Sequence, residues 1–238
     1  MLCAGRGHRM LPLTRQKPIS LLKLKKDLTV LDLQIKSLKE AGIGEIIIVL
    51  GYRSAMFKKQ IKKYRHPNIR TIFNPFFEEA DNLVSLWMAR EMIQGQTVIL
   101  NGDNLFHPEV IKQLNKNRSP VCVTIDKKDC YSAEEMKVGF IGGKLAKIDK
   151  EIPPNTAAGR SVGIIRFTDQ GANWMREALE VEVEKNSSKK SFWLEAVQRI
   201  IEQKKKVDFI EIHSRLWQEL DYPSQLKQAR KNIKFFLS

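Results

Sequence analysis

The chain has 238 residues, 42% of them hydrophobic, which suffices for one large α/β domain with a sizeable core. Its longest apolar run, Ile46-Ile47-Ile48-Val49-Leu50, falls far short of the roughly 20 residues of a membrane span, so none is expected. The formal charge is +14, from 41 Lys+Arg against 27 Asp+Glu. The basic residues are spread over helix positions expected to face water, with no aromatic-basic strand, so small polyanions are expected as partners rather than nucleic acid.

The first two dozen residues open on Ala4-Gly5-Arg6-Gly7-His8-Arg9, then Pro12 and Thr14. Glycines let a backbone approach a ligand, successive N–H groups form an anion-accepting concavity, and Arg9 offers the planar fork that phosphate oxygens prefer. The dinucleotide fingerprint is excluded, because Met10 stands where its third glycine belongs, and no stretch fits the Walker pattern. On its own, Gly-x-Gly-x-Arg suits an ordinary surface turn equally. Arg6, His8 and Arg9 interrupt the N-terminus, so no signal peptide is expected. Cys3, Cys122 and Cys130 are odd in number and lack metal spacing, which points to reduced thiols in a cytoplasm; the four histidines are too scattered for a zinc site.

Downstream, 20–24 reads as a short strand. Val30, Leu31, Gln34, Ile35, Leu38 and Ala41 are at helical spacing before Gly42. Strands are expected at 45–50, 69–73, 97–100 and 120–125. Helices are expected from Ser54, over 83–93 behind Asp81 or Asn82, and over 108–115. That alternation predicts an α/β, Rossmann-like domain with a mostly parallel central sheet flanked by helices. The second half changes style. A hairpin is expected at 138–141 and 144–148 around Gly142-Gly143, then a strand at 162–167 and a helix over 169–184. After a polar break at 185–188 come a helix over 191–203, strands at 207–212 and 216–220, and a closing helix over 223–233. One domain is expected over 1–238, with a nucleotide-binding half at 1–130 and a partly antiparallel portion at 131–238 that returns to the sheet.

Two aspartates are placed where ligands of open α/β sheets bind, outside the carboxyl ends of strands. Asp103 follows Val98-Ile99-Leu100-Asn101-Gly102, and Asp221 lies between a strand and the last helix. Each suits Mg²⁺, which needs only one or two protein carboxylates plus substrate phosphates. Gly-Asp-Asn is also good turn composition, and Asp221 also suits a helix N-terminus.

Together these segments resemble the sugar-1-phosphate nucleotidylyltransferase superfamily, and within it the bacterial CTP:phosphocholine and phosphonate cytidylyltransferases. The resemblance is carried by Leu2-Cys3-Ala4-Gly5-Arg6-Gly7-His8-Arg9-Met10-Leu11-Pro12-Leu13-Thr14, Asn74-Pro75-Phe76-Phe77, Asn82 to Ala89, Asn101 to Asn104, Glu135-Met136-Lys137-Val138 and Trp217 to Pro223, in order along the whole chain. It implies that the backbone of Ala4, Gly5 and Gly7 cradles a nucleoside triphosphate, with CTP the expected one, while Arg9 lies on the leaving phosphates. Asn82 and Ser85 would face base or ribose, or simply cap a helix. Asp103 and Asp221 would hold Mg²⁺, and Lys137 would meet the acceptor phosphate, its plainer reading being an exposed strand lysine.

The implied reaction is attack of an acceptor phosphate on the α-phosphorus, with pyrophosphate leaving. It needs no nucleophilic side chain, because a phosphomonoester with a second pKa of about 6 is already anionic. Trp193, Glu195, Trp217 and Tyr222 could surround an acceptor's ammonium, or simply be core. A sugar phosphate acceptor and a catalytically silent nucleotide- or RNA-binding module are the alternatives. The sequence admits a homodimer without specifying one.

Two departures stand out. The family's Pro-Lys is Pro18-Ile19 here. If Lys17 is extended before Pro18, it shares a face with Ile19 about 6.6 Å further along, so Lys17, or else Lys23, is expected to replace the missing lysine. The first strand also begins at Met1-Leu2-Cys3, a stub of about 10 Å, so an upstream apolar segment is expected to raise stability.

Overall fold

A computed structural model describes residues 1–64, 68–185 and 188–237. Asn186 and Ser187, inside the expected polar break, and His66 lie outside the described residues. In chain order the elements are β1 (Leu2–Cys3), β2 (Lys23–Lys25), β3 (Leu28–Thr29), α1 (Val30–Glu40), β4 (Ile46–Leu50), α2 (Ser54–Ile61) and β5 (Ile69–Phe73). Next come α3 (Asn82–Met88), β6 (Thr97–Leu100), β7 (Asn104–Phe106), α4 (Pro108–Lys116) and β8 (Val121–Asp126). The remainder is β9 (Lys137–Ile141), β10 (Lys144–Asp149), β11 (Gly159–Phe167), α5 (Asp169–Val183), α6 (Leu194–Glu202), β12 (Val207–Glu211), β13 (Trp217–Glu219) and α7 (Pro223–Leu237).

The chain divides into two compact units. One comprises Met1–Glu79, Asn101–Lys112 and Arg215–Ser238, the other Ala80–Leu100 and Gln113–Ser214. Each unit therefore draws on both sides of the expected 130/131 division. The fold class is mixed α/β, with parallel strands and helices plus antiparallel strands.

In the first unit, β4 is the apolar centre of a parallel three-stranded sheet, paired with β1 on one side and β5 on the other. Its Ile48, Val49 and Leu50 are essentially inaccessible, as expected of a parallel strand covered on both faces. α1 starts at a capping box: the Thr29 hydroxyl accepts from the Asp32 N–H, and the Asp32 carboxylate accepts from the Thr29 N–H. α7 buries Leu226, Ala229, Ile233 and Phe236, one helical face, in a cluster with Met10, Leu22, Leu24, Val30, Leu33, Leu105 and Leu220. That cluster joins the opening loop to the far end of the chain.

Three expectations for this unit are corrected. Residues 20–24 do not form one strand. A 3-10 turn spans Ile19–Leu21 and β2 follows, paired with β3. The premise that Lys17 lies along a strand with Ile19 therefore fails. β7, unexpected from the sequence, pairs antiparallel with β13.

In the second unit, nine-residue β11 pairs with β6, β8 and β9, all antiparallel, while β8 pairs parallel with β12. Parallel pairing is thus less dominant than expected. β6 and β8 are largely apolar, a pattern that burial produces whatever the direction of the strand. Every residue of β8 is buried. α3 is shorter than expected, ending at Met88 before a 3-10 turn at Arg90–Met92.

Candidate active site

The opening loop is held from within. Gly7 has φ +66, and a Cβ there would lie 2.6 Å from the side chain of Ile19. Its carbonyl accepts from the Thr14 hydroxyl (2.8 Å) and the Met10 N–H (3.0 Å). Gly7 is therefore demanded by conformation and by Ile19. Gly5 differs: it has no positive φ, and a Cβ would meet nothing within 4 Å. Nothing among the described residues requires glycine at position 5, so that requirement is met from outside or not at all. Ala4 is buried, its carbonyl accepting the Tyr52 N–H (2.9 Å).

The loop surface is basic. Arg6, His8, Arg9, Arg15 and Lys17 are all exposed. Ile19, by contrast, is half-buried against the core cluster and Gly7, so this position is now structural. Lys17 and Lys23 stay exposed.

The second part of the site is built by β7 and β13. Their register sets Glu219 opposite Asn104, and the Leu220 N–H donates to the Asp103 carbonyl (3.1 Å). Residues more than a hundred apart in sequence thereby become neighbours. One carboxylate oxygen from each of Asp103, Glu219 and Asp221 falls within 4.8 Å of the others. Glu219 was missed by sequence reasoning, although Glu219 and Asp221 are two apart at a strand end, and that spacing puts side chains on one face.

The turn bearing Asp103 is fastened on both flanks. Fully buried Gln34 of α1 donates one amide to the carbonyls of Asn101 (3.4 Å) and Asn104 (2.7 Å), and the Ser20 hydroxyl donates to the Gly102 carbonyl (2.8 Å). A Cβ on Gly102 would lie 2.6 Å from both the Cys3 sulfur and the Leu2 carbonyl oxygen. The close approach to β1 thus requires glycine. Sequence reasoning also missed Gln34 and Ser20, since a buried amide in an apolar helix stripe signals nothing about its partner.

The electrostatics are unbalanced. Asp103 Oδ1 is buried without a hydrogen-bond partner. Burial first, then the Asp221 charge, push the Asp103 carboxyl up to about 6. The nearby cation is Arg9, whose Nη2 is 2.6 Å from Asp221 Oδ1 and whose guanidinium lies over Tyr222 at 5.7 Å. Arg9 pairs with Asp221 and leaves Asp103 Oδ1 unsatisfied. Clustered hard oxygen donors with one orphaned oxygen fit a divalent cation such as Mg²⁺. Asp103, Glu219 and Asp221 are the residues that would hold it.

Of the remaining expected site residues, Asn82, Ser85, Lys137, Trp193 and Glu195 lie in the second unit, Trp217 and Tyr222 in the first. Asn82 Oδ1 accepts the Trp193 N–H (2.9 Å), and the N-cap of α3 is Asp81, without a side-chain cap bond. Asn82 thus ties α3 to the start of α6 instead of capping its own helix. Ser85 is buried within α3. Glu195 Oε1 accepts the Phe192 N–H (3.0 Å). Trp193 is fully buried, as is Trp217 of the first unit at 4% exposure, so both rings are core and neither offers an open face. Tyr222 is exposed.

Lys137 is not the exposed strand lysine of its plainer reading. It is fully buried, with Nζ donating to the carbonyls of Ser132 (3.2 Å), Ala133 (3.0 Å) and Glu135 (3.0 Å). These three bonds match the three protons of an ammonium, so meeting a phosphate requires exchanging some of them. The Glu135 carboxylate, in turn, accepts from Lys128, the Ser132 N–H and Arg160. The turn at 132–135 is therefore a charged clamp.

Residues 1–140 match the nucleotidyl transferase family, covering the loop and the Asp103 turn. The chain belongs to the nucleotidyl transferase family. Among curated relatives, a choline-phosphate cytidylyltransferase of Streptococcus pneumoniae is 29% identical, over 71% of this chain and 69% of its own. A CTP:phosphoglutamine cytidylyltransferase of Campylobacter jejuni is 24% identical over 95% and 96%. In fold, this nucleotidyltransferase is similar to the solved CTP:phosphocholine cytidylyltransferase from Streptococcus pneumoniae. The TM-score is 0.80 at 23% identity, over 98% of this chain and 96% of that one. The inositol-1-phosphate CTP transferase from T. maritima has the same TM-score at 16% identity, over 99% and 94%. Among the described residues no helix is long and apolar enough to cross a membrane.

Proposed function

We propose that the chain transfers CMP from CTP to a small phosphorylated acceptor, in the class of phosphocholine or an aminoalkyl phosphonate, with release of pyrophosphate. The observation carrying this is the carboxylate trio Asp103, Glu219 and Asp221 with Arg9 beside it, built onto the loop that holds Gly5 and Gly7. The acceptor class rests on the curated relatives, which include a 2-aminoethylphosphonate cytidylyltransferase of Lancefieldella rimae, 25% identical over 83% of this chain.

In this reading an acceptor phosphate oxygen forms the new bond to the α-phosphorus. The bond to the bridging oxygen breaks, and pyrophosphate leaves with that electron pair. A bound Mg²⁺ supplies charge neutralisation and orientation of the phosphates. The backbone at Gly5 receives phosphate oxygens at close approach, which explains a glycine that nothing in the fold demands. Arg9 and Lys17 supply cations along the loop. Gln34 and Ser20 keep the Asp103 turn from relaxing away from its neighbours, so the carboxylates are pre-positioned. Asn82, Ser85, Glu195 and Lys137 are the candidates for contacts to nucleoside or acceptor. No side chain acts as nucleophile, and the two polyanions are aligned rather than activated.

A sugar-1-phosphate acceptor is the second reading. It is favoured by similarity to a D-glycero-alpha-D-manno-heptose 1-phosphate guanylyltransferase of Campylobacter jejuni, 24% identical over 64% of this chain. Pyrophosphate release measured over a matrix of four nucleoside triphosphates and both acceptor classes separates the two. Release with CTP and phosphocholine or an aminoalkyl phosphonate is expected. Turnover only with a sugar 1-phosphate would replace the first reading by the second.

A further inference from the structure

Arg9 is committed to a carboxylate in a way the reaction does not explain. Its Nη2 lies 2.6 Å from Asp221 Oδ1, and its guanidinium covers the Tyr222 ring. The backbone on either side is fixed. Arg9 belongs to the 3-10 turn His8–Met10, anchored by wholly buried Met10, and the Asp221 and Tyr222 N–H groups both donate to Gln225 Oε1. The Arg9 side chain is 47% exposed, so it can rotate without disturbing the core. One guanidinium fork cannot pair with a carboxylate and grip phosphate oxygens at once, yet both uses suit its geometry.

We propose that Arg9 is the built-in counter-ion of the Asp103–Glu219–Asp221 trio. It holds Asp221 in the metal-free chain and yields that carboxylate when a divalent cation binds, so its guanidinium becomes available to phosphate only in the metal-loaded site. The proposal rests on the metal-site reading above. Arg9 pairs with Asp221, and that pairing leaves Asp103 Oδ1 without a partner. Surrender to a compact dication that can reach all three carboxylates follows from that shortfall. The consequence is an order: phosphates find a free Arg9 only after the cation has arrived.

The test is direct binding of Mn²⁺, used as a paramagnetic stand-in for Mg²⁺ and measured without nucleotide, on the wild type, Arg9→Met and Asp103→Asn. Loss of one partly exposed ionic competitor should make Arg9→Met bind roughly two- to fivefold more tightly than the wild type. Asp103→Asn should bind far more weakly. In the wild type, the Arg9 Nε–H resonance should shift in step with Mg²⁺ saturation. Equal or weaker affinity in Arg9→Met, or an unmoved Arg9 resonance at saturation, overturns the proposal while Asp103-dependent binding leaves the metal site standing. Absence of Asp103-dependent binding in both wild type and Arg9→Met overturns the two together.

Discussion

Asp103 combines burial, a like-charged neighbour and an oxygen without a hydrogen bond, and such a group works against the folded state at neutral pH. Because its carboxyl is raised to about 6 from 3.8, the folded chain binds the proton more tightly than the unfolded one between those values. Stability from this residue therefore falls as pH rises through that window and stays low above it. Asp103→Asn should leave the metal-free protein at least as stable as wild type at pH 7.5 by urea denaturation, while nucleotidyl transfer falls by about a hundredfold or more. Marked destabilisation would show that the carboxylate is structural.

Glu135 has the opposite sign. Burial alone would raise its carboxyl, but the Lys128 side chain, the Ser132 N–H and Arg160 outweigh it and hold it below 4.5. Its contribution is present above the unfolded value and lost as pH falls through the folded one. Glu135→Gln should therefore flatten the acid limb of the stability–pH curve; an unchanged limb would remove Glu135 from the clamp. At this scale the sequence revealed residues whose chemistry is local, such as Arg9, Asp103 and Asp221. It concealed those whose role depends on distant partners. Lys137 looks like a surface lysine until its three carbonyl partners are known, and Ile19 looks like a lost lysine until its packing against Gly7 is seen.

Among the elements, α1 and α7 support the metal-site candidate from behind. α1 carries Gln34 and begins at the Thr29–Asp32 box. Thr29→Ala should cost about 1 kcal/mol of unfolding free energy, measured in urea. α7 follows Asp221 directly and is fixed by its apolar face, so Leu226→Ala, at a site 1% exposed, should cost about 2–5 kcal/mol. A loss below about 1 kcal/mol would mean that α7 is not seated as described. The wholly apolar β4 and the periodic α1 were legible because burial imposes their pattern. β3 and β7, two and three residues long, are too short to show any period. The strand expected over 20–24 failed because the chain folds first into a 3-10 turn after Pro18, a choice set by packing of Ile19 and Leu21 rather than by local composition.

For the molecule as a whole, the fold class was readable from alternating strands and helices, whereas strand direction in the second unit was not. β11 pairs antiparallel with three strands that precede it at different distances in sequence, and such long-range pairing leaves no local mark. In the first unit the loop, the carboxylate trio and Arg9 are assembled from three separate stretches of chain. We propose that this assembly performs metal-dependent nucleotidyl transfer. Its most direct test is ³¹P NMR of the purified chain with CTP, Mg²⁺ and phosphocholine or an aminoalkyl phosphonate, run with and without a chelator. Triphosphate signals should give way to equal amounts of pyrophosphate and a new phosphoanhydride, only when the cation is present. Triphosphate signals that stay unchanged with every acceptor, or transfer that continues at full rate in the chelator, would contradict it.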